Sequence, residues 1–271
     1  RASALMMLRY SALALLAAAS AQSHEGSFLV TGATGRTGTL VYKLLEERGH
    51  SVRALVRNVD KARKVLGCGA CDASEGIYQG DVTTSAGLPA AFAGVSGVAV
   101  VTASVPQRLD NGSYTFPPGG WPIDVDWHGC ENQIEAARAA GVEHLVFVSS
   151  MGTTQPDSFL DMLGGGHVLF YKALGEISVA TQHAFNFTIV KPSGLLDAEG
   201  GRSRLLVGRS DDLAKGKHMT VTRADVADVV ASALEMPGHS GNLRFDLSSD
   251  PSEAREPGSL APLFDRVRQL W

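Results

Sequence analysis

The stretch Phe28–Leu45, FLVTGATGRTGTLVYKLL, restricts the fold more than any other part of the chain. Apolar and β-branched residues lead into Gly32, Gly35 and Gly38, spaced G-x-x-G-x-x-G, and an amphipathic helical pattern follows at once. In such a turn the first glycine lets the chain leave the strand and the second lets backbone approach a pyrophosphate. The third lets helix and sheet pack closely. The helix N-terminus adds free N–H groups and the positive end of its dipole. Glycines collect in any loop; the strand before and the helix after are what make these a dinucleotide-binding turn. Thr34, Arg36 and Thr37 lie between the glycines and belong to the same expected cofactor site, with Arg36 flanking any 2′-phosphate on the ribose.

The remainder of the chain repeats the alternation. Further strands are expected at Ser51–Arg57, Gly76–Gly80, Gly97–Ala103, His144–Ser150, Phe187–Pro192 and Leu243–Ser248, after a first at Ser27–Thr31. Helical patterns fall at Gly38–Arg48, Val59–Val65, Trp127–Ala140, Val168–His183 and Arg223–Glu235. Near-continuous apolar strands separated by helices imply an α/β fold, a doubly wound parallel sheet covered on both faces. Residues 26–271 are expected to form one NAD(P)-binding domain, with a small C-terminal substrate-side lobe from about Pro192 onward. Two Gly/Pro-rich loops, Asp110–Pro122 and Leu163–His167, follow strand ends, where an open α/β sheet places its ligand.

With 44% hydrophobic and 19% charged residues in 271, the chain has ample material for a core. A net charge of −4 offers no basic face for nucleic acid or an anionic membrane surface. Residues 1–25 read as a targeting leader: Met7 and Arg9, an apolar run, then Ala19-Ser20-Ala21 as a small-x-small pattern with cleavage after Ala21. The run is too short for a stable membrane anchor. Its destination is open between the secretory route and a plastid; without a working leader the chain would stay in the cytoplasm. Three cysteines, Cys68, Cys71 and Cys130, make no disulfide framework. Cys68 and Cys71 form a C-x-x-C in a glycine-rich loop, expected to oxidise if the chain is exported.

The second strand's end discriminates between cofactors. An NAD site carries an acid there to bind the ribose, roughly twenty residues past the glycine turn. This chain has Arg57, with Lys61 and Arg63 close behind. A guanidinium grips a 2′-phosphate bidentately, so NADP is expected over NAD. At the third strand's end Asp81 is placed to accept from the adenine amino group and Val82 to pack on its ring. Asp81 reads equally well as a helix cap.

These segments together resemble an atypical short-chain dehydrogenase/reductase of the NmrA-like, NAD(P)-binding group, which includes plastid proteins. The likeness rests on TGATGRTG, VDWHGCENQIEAARAAGVEHLVFVSSMG, KPSGLLDAEGG and VTRADVADVV, which occur in family order between Ser27 and Trp271. The resemblance implies that Ser149 and Ser150 close the fifth strand beside the nicotinamide. It implies that Lys172 holds the nicotinamide ribose, that Pro192, Ser193 and Gly194 line the nicotinamide side, and that Thr102 and Ala103 pass beneath the pyrophosphate and ribose. Lys172 and Ser150 are the candidate catalytic residues.

One departure bears on chemistry. Typical members of the superfamily carry Tyr-x-x-x-Lys, which sets a phenol and an ammonium on one helix face. Here Val168 stands four residues before Lys172, and Tyr171 is adjacent to the lysine, about 100° around the helix. Two functions therefore stay open: an NADP-dependent oxidoreductase on a small carbonyl or enone, and a non-catalytic NADP(H)-binding redox sensor docking to a protein partner. Trp121, Trp127 and Tyr114 are expected either to wall the nicotinamide or to join the core. His167 reads as a helix-end residue and Thr222-x-x-Asp225 as a capping box.

Overall fold

A computed structural model describes residues 27–270; the expected leader and cleavage site lie outside the described residues. Strands β1 (Ser27–Thr31), β2 (Ser51–Val56), β3 (Ile77–Gln79), β4 (Gly97–Val100), β5 (His144–Val148), β6 (Asn186–Pro192), β7 (Ser203–Gly208) and β8 (Leu243–Ala254) form one eight-stranded sheet in the order β7-β8-β6-β5-β4-β1-β2-β3. Helices α1 (Arg36–Glu47), α2 (Val59–Leu66), α3 (Leu88–Phe92), α4 (Gly129–Ala140), α5 (Val168–Thr181), α6 (Arg223–Glu235) and α7 (Ala261–Arg268) cover it.

Both faces of the strands are apolar because both are covered. Along β1, Phe28 and Val30 join the layer containing Val41 and Leu45 of α1 and Val226, Val229 and Val230 of α6. Leu29 points the other way, into the layer with Leu88 and Phe92 of α3 and Ile134 of α4. β1 pairs in parallel with β2 on one side and β4 on the other, so the strand order reverses there. A cleft opens at such a reversal, beyond the carboxyl ends of the strands. Buried Gln133 of α4 ties that region together: its amide oxygen accepts from Thr31 Oγ1 at 2.6 Å and its amide nitrogen donates to Thr102 Oγ1 at 3.3 Å.

The sheet departs from the expectation at one edge. β7 pairs antiparallel with β8 from Asp246 onward, and β8 runs past Ser248 to Ala254. The edge segment SRLLVG has little of the continuous apolar character of a covered strand, so its pattern does not announce it. Helices α3 and α7 are likewise additional to the expected set. The helix expected from Trp127 begins earlier, as a π-helical turn over Ile123–His128 that runs into α4. α5 packs hard on that turn at Gly175, where an added Cβ would lie 2.7 Å from the Asp126 carbonyl oxygen and 3.3 Å from the Phe147 ring. In the C-terminal lobe, Gly194–Leu196 and Thr220–Thr222 pair in parallel. Thr222 then caps α6, its hydroxyl accepting from Asp225 N at 3.0 Å as the capping box requires.

Candidate functional site

A cleft of about 780 Å³ runs across the carboxyl ends of the central strands. Gly32, Thr34, Gly35, Arg36, Thr37 and Gly38 line its middle. Gly32 adopts φ 71°, and a Cβ there would lie 2.8 Å from the Val101 carbonyl oxygen, so only glycine fits the turn. A Cβ on Gly38 would collide with the Gly32 carbonyl. Gly35 is the N-cap of α1, no side chain caps the helix, and its first turn carries no acid. The open N–H groups of α1 therefore meet the cleft with the dipole's positive end, a fit for a pyrophosphate.

At one end of the cleft stand Arg57 and Lys61, both exposed, with Val82 as an apolar wall. Asp81 is not part of that lining. Its Oδ1 accepts from Thr83 N and Thr83 Oγ1, both at 2.9 Å, closing a local turn. Asp81 is no helix cap either, since the next helix, α3, has Gly87 as its N-cap; the carboxylate's partner lies in its own loop.

The other end holds Lys172, Ser149, Ser150, Pro192, Ser193 and Gly194, with Thr102 and Ala103 between the two ends. Lys172 is buried and pairs at 2.8 Å with Asp126 Oδ1 from the π-helical turn. The other oxygen of Asp126 accepts from Ser104 N at 3.1 Å and from the Ser104 hydroxyl. Each serine's proton is directed elsewhere. Ser149 donates to Glu176 Oε1, which also accepts from Thr153 Oγ1 at 3.1 Å, while Arg244 pairs with Glu176 Oε2 at 2.6 Å. Ser150 donates to the Met151 carbonyl at 2.9 Å. Ser193 donates to Ser248 Oγ at 3.0 Å, and Ser248 donates in turn to the His218 carbonyl. A hydroxyl has one proton, whereas an ammonium has three. Lys172 is therefore the group at this end with N–H to spare, and Ser150 is not set up as the donor.

The aromatic wall is not built as one of the expectations had it. Trp127 stacks on Tyr171 and His128, and Trp121 packs against Phe116. Trp121, Trp127 and Tyr114 are absent from the cleft lining, and Tyr171 is turned to the Trp127 side of α5. The apolar wall comes instead from Val105, Met151, Phe159, Leu160, Leu169 and Met219. His167 is the αL N-cap of α5, as a helix-end residue. The cap itself comes from buried Asp161, whose Oδ1 accepts from Leu169 N and Phe170 N at 2.9 Å.

Beneath the loop that follows β5 lies a buried charged cluster. Lys191 Nζ sits 3.0 Å from Asp211 Oδ1 and 3.6 Å from Asp246 Oδ1. Burial pushes the Asp246 carboxyl up to about 6 in spite of Lys191. Asp211 is also raised by burial, but bonds from the Thr154 hydroxyl and the Thr154 and Gly152 N–H groups outweigh this and hold it below the usual carboxylate range. Asp211 thereby pins the loop beside the Lys172 end of the cleft. Cys68 and Cys71 form a disulfide, while burial pushes the thiol of Cys130 up to about 12 and leaves it unreactive.

Residues 32–237 match the NAD(P)H-binding family. The chain belongs to it. Within that family it is an atypical short-chain dehydrogenase/reductase, as the sequence resemblance implied. Among curated proteins it is 35% identical to an Arabidopsis thaliana protein described as uncharacterized and chloroplastic, over 88% of this chain and 74% of that one. It is 32% identical to sanguinarine reductase of Eschscholzia californica, over 86% of this chain and 93% of the reductase. The NAD(P)H azoreductase of Xenophilus azovorans is 30% identical, over 78% of this chain and 64% of the azoreductase. The fold recurs in an anaerobillin reductase of Escherichia coli O157:H7, with a TM-score of 0.60 and 21% identity over 86% of this chain and all of that one.

The structure thus brings sixteen of the seventeen sequence-derived site residues, all but Asp81, into the lining of one cleft. Sequence reasoning missed Asp126, Glu176, Asp161 and the Phe159–Leu160 pair. Glu176 had a readable signal, lying four residues after Lys172 on the same helix face. Arg223, read as structural, reaches the cleft from the C-terminal lobe and pairs at 2.8 Å with Asp197, which also meets Arg36 at 3.3 Å.

Proposed function

We propose that the protein is an NADP(H)-dependent reductase of a small carbonyl or enone compound. The observation that carries this reading is Lys172, buried at one end of a dinucleotide-shaped cleft and held at 2.8 Å by Asp126. The cofactor, when bound, supplies the hydride. Gly32, Gly35 and Gly38 admit the pyrophosphate, Arg57 and Lys61 take the 2′-phosphate, and Val82 covers the adenine. Lys172 holds the ribose hydroxyls and directs a remaining N–H toward the substrate oxygen, in the role the missing phenol would have filled. Asp126 keeps that ammonium aimed. The reductases among the relatives support the reaction class, and the chloroplastic relative supports a plastid destination for a chain with a leader. No helix among the described residues is long and apolar enough to cross a membrane.

Val168, in the phenol's place, favours a second reading: a protein that binds NADP(H) and reports its redox state to a protein partner. Loss of general acid catalysis costs roughly 10²–10⁴-fold in rate. Titrating NADPH by fluorescence and then following its oxidation over a panel of ketones, enones and aldehydes separates the two. Turnover that disappears in Lys172→Met supports the reductase. Tight NADPH binding with no oxidation across the panel supports the sensor.

A further inference from the structure

We infer that Cys68–Cys71 is a thiol–disulfide exchange site for a dithiol reductant, and that its redox state sets how firmly the Arg57 end of the cleft grips a 2′-phosphate. The second half rests on the NADP(H) reading above. The two cysteines close a small ring directly after α2. Gly67 ends that helix at φ 81°, and a Cβ placed there would meet nothing within 4 Å. The side of the ring next to Cys68 is thus open, and Cys68 is half-buried where Cys71 is buried. Cys71 holds φ 55°, a left-handed conformation unfavourable to any residue with a side chain. Disulfides that are exposed, or closed at some cost, are the labile ones.

The exchange runs through the accessible sulfur. A thiolate of the dithiol attacks Cys68 Sγ, forming a mixed disulfide and expelling the Cys71 thiolate, which takes up a proton. The reagent's second thiol then attacks its own bound sulfur and releases Cys68. Two electrons and two protons pass to the protein, and the dithiol leaves as a disulfide. Cys130 takes no part, being buried in the opposite core layer. The loop keeps its frame throughout: the Glu75 carboxylate accepts from Gly69 N and Ala70 N at 3.3 Å and from Cys71 N at 2.9 Å. The sulfurs therefore stay near one another and the bond can re-form.

α2 carries the change to the cleft. Ala62 is its one fully buried residue, with Val59 and Leu66 only flanking the core. Its C-terminal end is tied to the Glu75-bound loop by the disulfide and by Arg63 Nε, which donates to the Gly69 carbonyl at 3.3 Å. Its N-terminal end presents Lys61 to the cleft, with Asn58 accepting from Lys61 N at 2.8 Å and Arg57 immediately before that cap. Opening the ring leaves the far end of a lightly buried helix on one long, exposed hydrogen bond. Segments with so few buried contacts are the ones that open locally. Arg57 and Lys61 then lose their fixed distance from the glycine turn.

Fluorescence titration of NADPH and NADH against oxidised and dithiothreitol-reduced wild type tests the inference, with native-state maleimide labelling followed by mass spectrometry to count thiols. Millimolar dithiothreitol should expose two labelled thiols and weaken NADPH about fivefold, a partial loss of a charge-assisted contact. NADH, which lacks the 2′-phosphate, should change less than about twofold. The double variant Cys68→Ser, Cys71→Ser should bind NADPH as reduced wild type does, with or without dithiothreitol. Cys71→Ser, which frees Cys68, should react with an aromatic disulfide reagent at least about tenfold faster than Cys68→Ser. A bond that survives dithiothreitol in the native protein, or reduction that leaves the preference for NADPH unchanged, overturns the inference; the reverse order of reactivity overturns the role of Cys68. Equal affinity of oxidised wild type for both cofactors defeats the NADP(H) reading instead, and the labelling still decides whether the bond exchanges.

Discussion

Asp126→Ala is the sharpest perturbation the site offers. The side chains of Asp126 and Lys172 are 0% and 9% exposed, so the pair is out of water on both sides. Removing the carboxylate strands a buried ammonium and also leaves Ser104 N and its hydroxyl without their acceptor. Breaking a buried pair by removing one partner costs about 3–5 kcal/mol, mostly as the penalty for the charge left behind. Against a total stability of about 5–15 kcal/mol for a domain, that loss moves a urea midpoint well outside error. If the penalty is charge burial, Asp126→Leu with Lys172→Met should recover most of the stability, because neither charge remains. The assay is urea unfolding of wild type, both single variants and the double variant at pH 7, with NADPH affinity measured on each. The double variant should fold but bind NADPH weakly, since Lys172 is gone. A single variant within 1 kcal/mol of wild type, or a double variant no more stable than Asp126→Ala, would refute the reasoning.

Other outcomes follow from the same geometry. Wild-type protein should bind NADPH more tightly than NADH, and Arg57→Ala should remove about 1.5–3 kcal/mol of that preference, read by fluorescence titration; equal affinities in the wild type would end the argument. Val168→Tyr should raise the rate of carbonyl reduction, because positions 168 and 172 share a face of α5, while Ser150→Ala should leave the rate within a few-fold. Thr188 donates to the Ser240 carbonyl, so His144 Nε2–H donates to Thr188 at 2.8 Å, Nδ1 is buried bare, and burial lowers the imidazole to about 4. The unfolded state then binds the extra proton between pH 6.5 and 4, so this residue's contribution, about 3 kcal/mol, is present above pH 6.5 and lost as pH falls to 4. His144→Leu should flatten that fall, and Asp246, whose raised value gives the opposite slope below pH 6, is left in place as the control. Cys68→Ser should cost about 2 kcal/mol from the short loop closed by the disulfide, read as a lowered Tm matching that of reduced wild type.

Much of this arrangement was legible beforehand. Gly32, Gly35 and Gly38 announced themselves because the turn's physics admits few other residues, and both-face burial made the central strands continuous apolar runs. What stayed hidden had a physical reason. Asp126 sits in a π-helical turn, where the extra residue per turn decides which of Asp124 and Asp126 faces inward, and a 3.6-residue period does not register that choice. β7 is an edge strand whose partner, β8, lies far along the chain. Phe159 and Leu160 belong to a loop, and their placement depends on Asp161 reaching the N-terminus of α5, a contact no periodicity foretells. Asp81 was left between adenine contact and helix cap because the sequence does not show that its partner is Thr83, two residues on in the same loop.

Gly175 gives the helix that carries Lys172 a fixed seat. With no room for a side chain against the Asp126 carbonyl, α5 can neither slide along the π-helical turn nor roll to bring Tyr171 round to where Val168 stands. A phenol can therefore join Lys172 on this face of α5 only by substitution at position 168, and not by backbone drift.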